Sequence, residues 1–216
     1  GQMTREEALK KLETEPPPVG IKLDLGVENI TLHSYKEYST NEWIWNLLSK
    51  FMELLLPENP LITTLSKALG EIDPKWKEYN GVIVPGSWPG QNDDAFIQSI
   101  IPKIKEAKEK KTPFLGLCLG MQAIGKMEGG ELIKMKENRQ GIYPVIGWWG
   151  ETYESHWHRF RVSGYFPEYD VYTTDNIIEI MRLKKHPFFV GLQFHPEFQS
   201  SKGKPHLVLE EFLFVC

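Results

Sequence analysis

Cysteine is scarce in this sequence, with two thiols among 216 residues. Two cysteines cannot form the disulfide framework of a small secreted domain, and Cys216 is the last residue. The sequence also shows no secretory signal and no apolar run of the length that spans a membrane. Together these absences predict a cytoplasmic protein that has no membrane partner.

An excess of positive charge is missing as well. The chain has 25 Lys and Arg against 29 Asp and Glu, which gives a net charge of −4. Its lysines are interspersed with glutamates, so no continuous basic surface is expected to hold a phosphate backbone. Nucleic acid is therefore not expected as a partner. A chain of this length can nevertheless bury a complete core without disulfides or metals.

The order of apolar segments predicts an α/β fold in one domain. Residues 1–20 begin with what looks like an expression remnant before Met3 and are interpreted as an N-terminal arm, and residues 21–216 as the domain. The pattern predicts a mostly parallel sheet with helices on both faces and a small antiparallel β section. The predicted strands are 28–34, 61–65, 81–84, 114–117, 143–149, 158–163, 171–173, 177–181 and 188–194. The predicted helices are 39–56, 93–111, one that follows the turn at Cys118 and ends between residues 125 and 130, and 207–214.

A thiol lies between glycines at a predicted strand-to-helix turn. The apolar residues 114–117 form the strand, and the segment Gly-Leu-Cys-Leu-Gly at 116–120 turns the chain into the next helix. A cysteine at a helix N-terminus is near the positive end of the helix dipole, which favours its thiolate. A buried structural cysteine is the ordinary alternative. The small residues on both sides favour a reactive Cys118.

A histidine and a glutamate follow the last predicted strand. The sequence Gly-Leu-Gln-Phe-His-Pro-Glu at 191–197 delivers His195 at the strand end, and Pro196 stiffens the link to Glu197. Imidazole can take the proton of a thiol and return it to a leaving group near neutral pH, and a carboxylate can orient the imidazole. Cys118, His195 and Glu197 are therefore predicted to form a nucleophile, base and orienting group.

Four stretches of the chain match one family pattern: GVIVPG at 81–86, PFLGLCLGMQ at 113–122, ESHWHRFRV at 154–162 and GLQFHPEF at 191–198. In these stretches the chain resembles the class I glutamine amidotransferases, most closely the amidotransferase domain of CTP synthases. The resemblance implies the flavodoxin-like fold of that family and the hydrolysis of glutamine through a thioester on Cys118. It also implies a synthetase, here a separate one, as the partner that uses the ammonia.

The resemblance also implies roles for residues around the predicted triad. The backbone N–H groups of Leu119 and of the Gly86–Ser87 loop would hold the oxyanion. Gln122 and Glu131 would bind glutamine, although a solvated glutamine and a solvated loop acid are the ordinary alternatives. No cofactor is implied. His156 and His158 alternate in a predicted strand, but without cysteines or an acidic pattern beside them we predict no metal site.

Two departures from the family pattern concern the substrate pocket. Ser87-Trp88-Pro89 replaces a loop that is usually rich in glycine, and Trp157 occupies a position where the resembling CTP synthase segment usually has an arginine. An indole has no positive charge for the carboxylate of glutamine. The alternatives are therefore a hydrolase of another amide or γ-glutamyl compound, and a catalytically silent regulatory relative.

Overall fold

The computed structural model describes residues 62–64, 81–86, 94–199 and 206–216. The predicted N-terminal arm, the strand at 28–34, the helix at 39–56 and Ser87 lie outside these residues. The strands are β1 Ile62–Thr64, β2 Gly81–Val84, β3 Phe114–Leu117, β4 Glu131–Gly147, β5 Gly150–Ser163, β6 Tyr169–Thr174, β7 Ile177–Leu183 and β8 Phe189–Leu192. The helices are α1 Asp94–Glu109, α2 Leu119–Met127 and α3 Leu207–Val215, with a 3-10 turn at Pro196–Gln199.

One mixed sheet organises the described residues. Its strand order is β1-β2-β3-β8-β7-β6. The first four strands are parallel to one another, whereas β7 pairs antiparallel with both β8 and β6. The predicted parallel sheet with an antiparallel section is therefore confirmed.

The central strands are apolar because helices cover both of their faces. Every residue of β2, β3 and β8 is buried. Val82 and Val84 face a core cluster built with α1 and α2, and Ile83 faces a second cluster that contains residues of α3. Such two-sided burial gives continuous apolar runs rather than alternation. Among the helices of the described residues, none combines the length and apolarity needed to cross a membrane.

A long two-stranded hairpin differs from the sequence prediction. β4 and β5 together span residues 131–163 and pair antiparallel, whereas the predicted strands there were 143–149 and 158–163. The extra length of β4 carries the polar sequence ELIKMKENRQ, in which many side chains are exposed. An antiparallel ribbon with one solvated face tolerates this polar composition. A strand prediction that depends on apolar residues therefore misses this part of β4.

Gly120 lies where α2 crosses the end of β2, and a larger residue cannot fit there. A Cβ built on Gly120 would collide with the carbonyl oxygen of Val84, a backbone atom that cannot turn aside as a side chain can. We expect Gly120→Ala to lower the free energy of unfolding by about 3 kcal/mol, measured by urea denaturation.

The control for this substitution is Gly129→Ala. Gly129 has a φ of 85°, and a Cβ there would have no neighbour within 4 Å. The control therefore has only the cost of the left-handed backbone, about 1 kcal/mol. Equal losses in the two variants would contradict the close approach at Gly120.

Candidate active site

Cys118 forms a strained turn between β3 and α2. Its φ is 51° and its ψ is −99°, a backbone conformation that costs a residue with a Cβ about 1–3 kcal/mol. The turn is held from both sides, because the Cys118 N–H donates to the Leu192 carbonyl at 2.6 Å and the Cys118 carbonyl accepts from the Gln122 N–H at 3.0 Å. The thiol is thereby placed at the C-terminal edge of the parallel strands and at the N-terminus of α2.

His195 and Glu197 meet Cys118 at this edge. The Nδ1 atom of His195 lies 2.7 Å from Oε1 of Glu197, and both side chains are buried. The imidazole also hydrogen-bonds to the Cys118 side chain. Burial lowers the pKa of His195, but the Glu197 charge and the hydrogen bonds to Cys118 and Glu197 outweigh it and raise the pKa to about 10. The three residues predicted as a triad therefore lie together, with the imidazole between thiol and carboxylate.

The backbone of β5 contacts both reactive residues. The carbonyl of Ser155 accepts a hydrogen bond from the His195 N–H at 2.8 Å. The carbonyl of Trp157 lies 3.8 Å from the Cys118 Sγ. Trp157 was predicted to matter through its indole, and the residue is half-buried. The structure adds a contact through its main chain, which depends on strand position rather than on side-chain identity.

The other predicted site residues differ in burial and in their position relative to the strand ends. Gly86 is buried just beyond β2, and Leu119 is buried as the first residue of α2. Gln122 donates through Nε2 to the Phe160 carbonyl at 3.3 Å. Glu131 is exposed at the start of β4, opposite Ser163. Ser163 is the last residue of β5, six residues beyond Trp157. The role of Glu131 in binding glutamine stays a prediction.

Gln193 is a site residue that the sequence prediction missed. It lies between β8 and His195, it is fully buried, and its Nε2 is 3.6 Å from the Cys118 Sγ. The signal that could have found it is a polar residue between Leu192 and Phe194, inside a run of buried apolar residues.

A buried polar cluster joins the β4–β5 hairpin to β7. Arg139 donates to Glu179 at 2.6 Å, and Nδ1 of His156 lies 3.7 Å from Glu179 and 3.2 Å from Nε2 of His158. Burial lowers the pKa of His156 and of His158, the latter to about 4, so both imidazoles are neutral. Burial raises the pKa of Glu179 to about 8, against the opposite effect of the Arg139 charge. Within the described residues, no group of three or more His, Cys, Asp or Glu side chains could hold a metal ion.

The Arg139–Glu179 pair gives a prediction on stability. Arg139→Met leaves a buried carboxyl group without its guanidinium partner, and we expect the free energy of unfolding to fall by about 3 kcal/mol in urea denaturation. This loss is at the lower end of the range for breaking a buried ion pair, because the Glu179 carboxyl group can take up a proton and so avoid an unpaired buried charge. The double variant Arg139→Met with Glu179→Met should recover most of the loss. A double variant as unstable as Arg139→Met would show that the pair is not the cause.

A comparison with protein families identifies the class. The model of the family described as glutamine amidotransferase class-I matches residues 41–215. The chain belongs to the class I glutamine amidotransferases.

Among its relatives are CTP synthases. That of Thermosipho africanus is 29% identical in a match that covers 62% of this chain and 35% of the relative. That of Thermotoga maritima is 30% identical in a match that covers 60% of this chain and 34% of the relative. The chain thus spans about a third of the length of these CTP synthases.

Solved structures agree on the fold. The glutaminase domain of Trypanosoma brucei CTPS with bound acivicin superposes with a TM-score of 0.61 at 16% identity, covering 88% of this chain and 93% of that one. A glutamine amidotransferase from Thermotoga maritima has a TM-score of 0.50 at 25% identity, covering 59% of this chain and 60% of that one. The predicted class I amidotransferase fold is therefore confirmed.

Proposed function

We propose that this domain hydrolyses the side-chain amide of glutamine to glutamate and ammonia through a thioester on Cys118. One observation carries the proposal: the buried His195 is hydrogen-bonded to the Cys118 side chain and to Glu197, and Cys118 is held in a strained elbow at a helix N-terminus. A thiol that served only packing would need neither the backbone strain nor a buried ion pair beside it.

In the first half-reaction the thiolate attacks the amide carbon. Because Nδ1 of His195 is held by Glu197, the Nε2 atom is the ring nitrogen that serves the sulfur and the leaving group. The thiol proton moves to His195 and then to the departing nitrogen, which leaves as ammonia while the carbon–sulfur bond forms. Glu197 stabilises the imidazolium that carries this proton.

In the second half-reaction water replaces the sulfur. The neutral His195 takes a proton from a water molecule, the resulting hydroxide attacks the thioester carbon, and the carbon–sulfur bond breaks to release glutamate. His195 is then again protonated beside the Cys118 thiolate, which restores the starting state.

The oxyanion formed in both steps needs backbone donors. The Leu119 N–H is at the start of α2, where the first N–H groups of a helix lack partners within the helix. Gly86 follows the neighbouring strand β2, and an N–H of Gly86 or Ser87 is the proposed second donor. Each such donor contributes about 3–4 kcal/mol to comparable reactions. Gln122, one helical turn beyond Cys118, would contact the substrate, and Glu131 remains a prediction from resemblance.

The proposal is tested by incubating the protein with glutamine and measuring glutamate and ammonia in equal amounts. Asparagine and simple γ-glutamyl amides serve as comparison substrates. Ammonia is the product that a synthetase would consume, so a synthetase domain or subunit is the proposed partner class. Absence of glutamine turnover, with such a partner present, would contradict the proposal.

The position of Trp157 favours a second candidate. Its main-chain carbonyl is 3.8 Å from the thiol, so this half-buried residue belongs to the wall of the same site, where a positive charge would suit the glutamine carboxylate. A site with an uncharged indole at this position suits a different amide or γ-glutamyl compound as the substrate. Preference for such a substrate over glutamine in the same assay would favour the second candidate, and an inert protein would point to a regulatory relative.

A further inference from the structure

The side chain of Gln193 approaches the same sulfur atom as His195. Cys118 and Gln193 each follow the last residue of a strand, and those last residues, Leu117 and Leu192, are paired in the sheet. The two residues therefore leave the sheet side by side. The Gln193 N–H donates to the Glu179 carbonyl at 2.8 Å, which fixes its backbone, and its Nε2 lies 3.6 Å from the Cys118 Sγ.

We propose that Gln193 is a further catalytic residue, whose side-chain amide donates a hydrogen bond to the Cys118 sulfur and stabilises the thiolate. This inference rests on the proposed function, in which Cys118 is the nucleophile. An amide N–H can only donate, so its bond to sulfur strengthens when the sulfur becomes negative.

The contacts of the sulfur fit this role. The Trp157 carbonyl can only accept, so it interacts favourably with the S–H form. When the proton passes to His195, that interaction is lost. The Gln193 donor then remains beside the charged sulfur, in an interior where a hydrogen bond to an ion is stronger than in water. Gln193 is thus the contact that favours the charged sulfur, whereas the Trp157 carbonyl favours the S–H group.

The amide oxygen of Gln193 shows that this residue does more than fill space in the core. Gln193 is fully buried, and among the described residues its Oε1 atom has no hydrogen-bond partner. A buried amide oxygen without a partner lowers stability, so an apolar residue of similar shape would pack there at less cost. The polar residue is explained by the contact that its nitrogen makes.

The test measures the alkylation rate of Cys118 by iodoacetamide, followed by peptide mass spectrometry so that Cys216 is scored separately. Gln193→Met keeps the length of the side chain and removes both amide atoms. We expect Cys118 in this variant to react at least about tenfold more slowly at neutral pH, and the difference to disappear at alkaline pH, where the thiol ionises in both proteins. Gln98→Met, on the exposed face of α1, is the matched control and should react as the wild type does.

Two results would overturn the proposal. One is a wild-type rate at neutral pH in Gln193→Met, and the other is a deficit that persists unchanged at alkaline pH, which would indicate altered access. If the Met variant fails to fold, Gln193→Leu decides, because it also removes the amide without adding a charge: a slower reaction at neutral pH supports the donor role, and an unchanged rate overturns it. Alkylation needs no glutamine turnover, so failure of the proposed function, seen as absent hydrolysis, is distinguishable from failure of this inference, seen as an unchanged alkylation rate.

Discussion

Replacing Cys118 with alanine is expected to reduce glutamate release from glutamine by roughly 10⁵- to 10⁶-fold. The thioester cannot form without the sulfur, and the residual reaction would come only from substrate binding and the oxyanion donors. The methyl group of alanine can occupy the elbow, so the fold should persist. The measurement is steady-state glutamate production, with near-ultraviolet circular dichroism as the check on folding.

Cys216 provides the matched control. It is the other thiol of the chain, and it packs beside Gly81 at the N-terminal end of β2, the edge of the sheet opposite to Cys118. Burial raises the pKa of the Cys216 thiol to about 12, so it stays protonated and unreactive. Cys216→Ala should therefore retain the wild-type rate. Substantial turnover in Cys118→Ala would show that another group carries the reaction.

Replacing Glu197 with glutamine is expected to lower kcat by roughly 10³- to 10⁴-fold. The change removes the charge that raises the pKa of His195 and stabilises its imidazolium. The amide can also present an N–H to Nδ1, which would force the proton onto Nε2 and leave no acceptor for the thiol proton. Because binding groups are unchanged, the loss should be in kcat with little change in KM.

Glu154→Gln is the matched control for Glu197→Gln, because it also replaces a buried carboxyl group that is hydrogen-bonded to a histidine. Oε1 of Glu154 lies 2.7 Å from Nε2 of His206, a pair that joins β5 to the N-terminus of α3 and that lies outside the triad. This variant should lose some stability and keep its rate within about tenfold of the wild type. Equal losses of activity in the two variants would assign the effect of Glu197 to stability alone.

Much of the central fold could be predicted from local patterns. The run Gly81–Val84 and the strand before Cys118 are continuous apolar segments, and the glycine-containing sequence after each predicts the edge of the sheet. The helix Leu119–Met127 begins directly after the Cys118 turn, as predicted. The hairpin from Glu131 could not be found this way, because its stability comes from pairing with β5 and not from the apolarity of its own residues.

The candidate site divides in the same manner. Cys118 and the His195–Glu197 pair could be predicted from the sequence, because each lies in a short segment whose residues are typical of a thiol-dependent active site. Gln193 and the Arg139–Glu179 pair could not be predicted in this way. The sequence shows Glu179 as a lone carboxylate in the apolar segment Ile177–Leu183, but it does not show the partner of that carboxylate. The contact of Gln193 with Cys118 joins residues 75 apart, and that of Arg139 with Glu179 joins residues 40 apart.

Local sequence was sufficient to predict a thiol at a strand-to-helix elbow, and an imidazole and a carboxylate at another strand end. Those features depend on neighbours within a few residues, where glycine, proline and apolar alternation govern the backbone. Only the tertiary structure showed what surrounds the thiol: the Trp157 carbonyl, the Gln193 amide and the buried Arg139–Glu179 pair that joins β4 to β7. These contacts depend on the register of strands distant in the chain, which is set by the packing of the whole core.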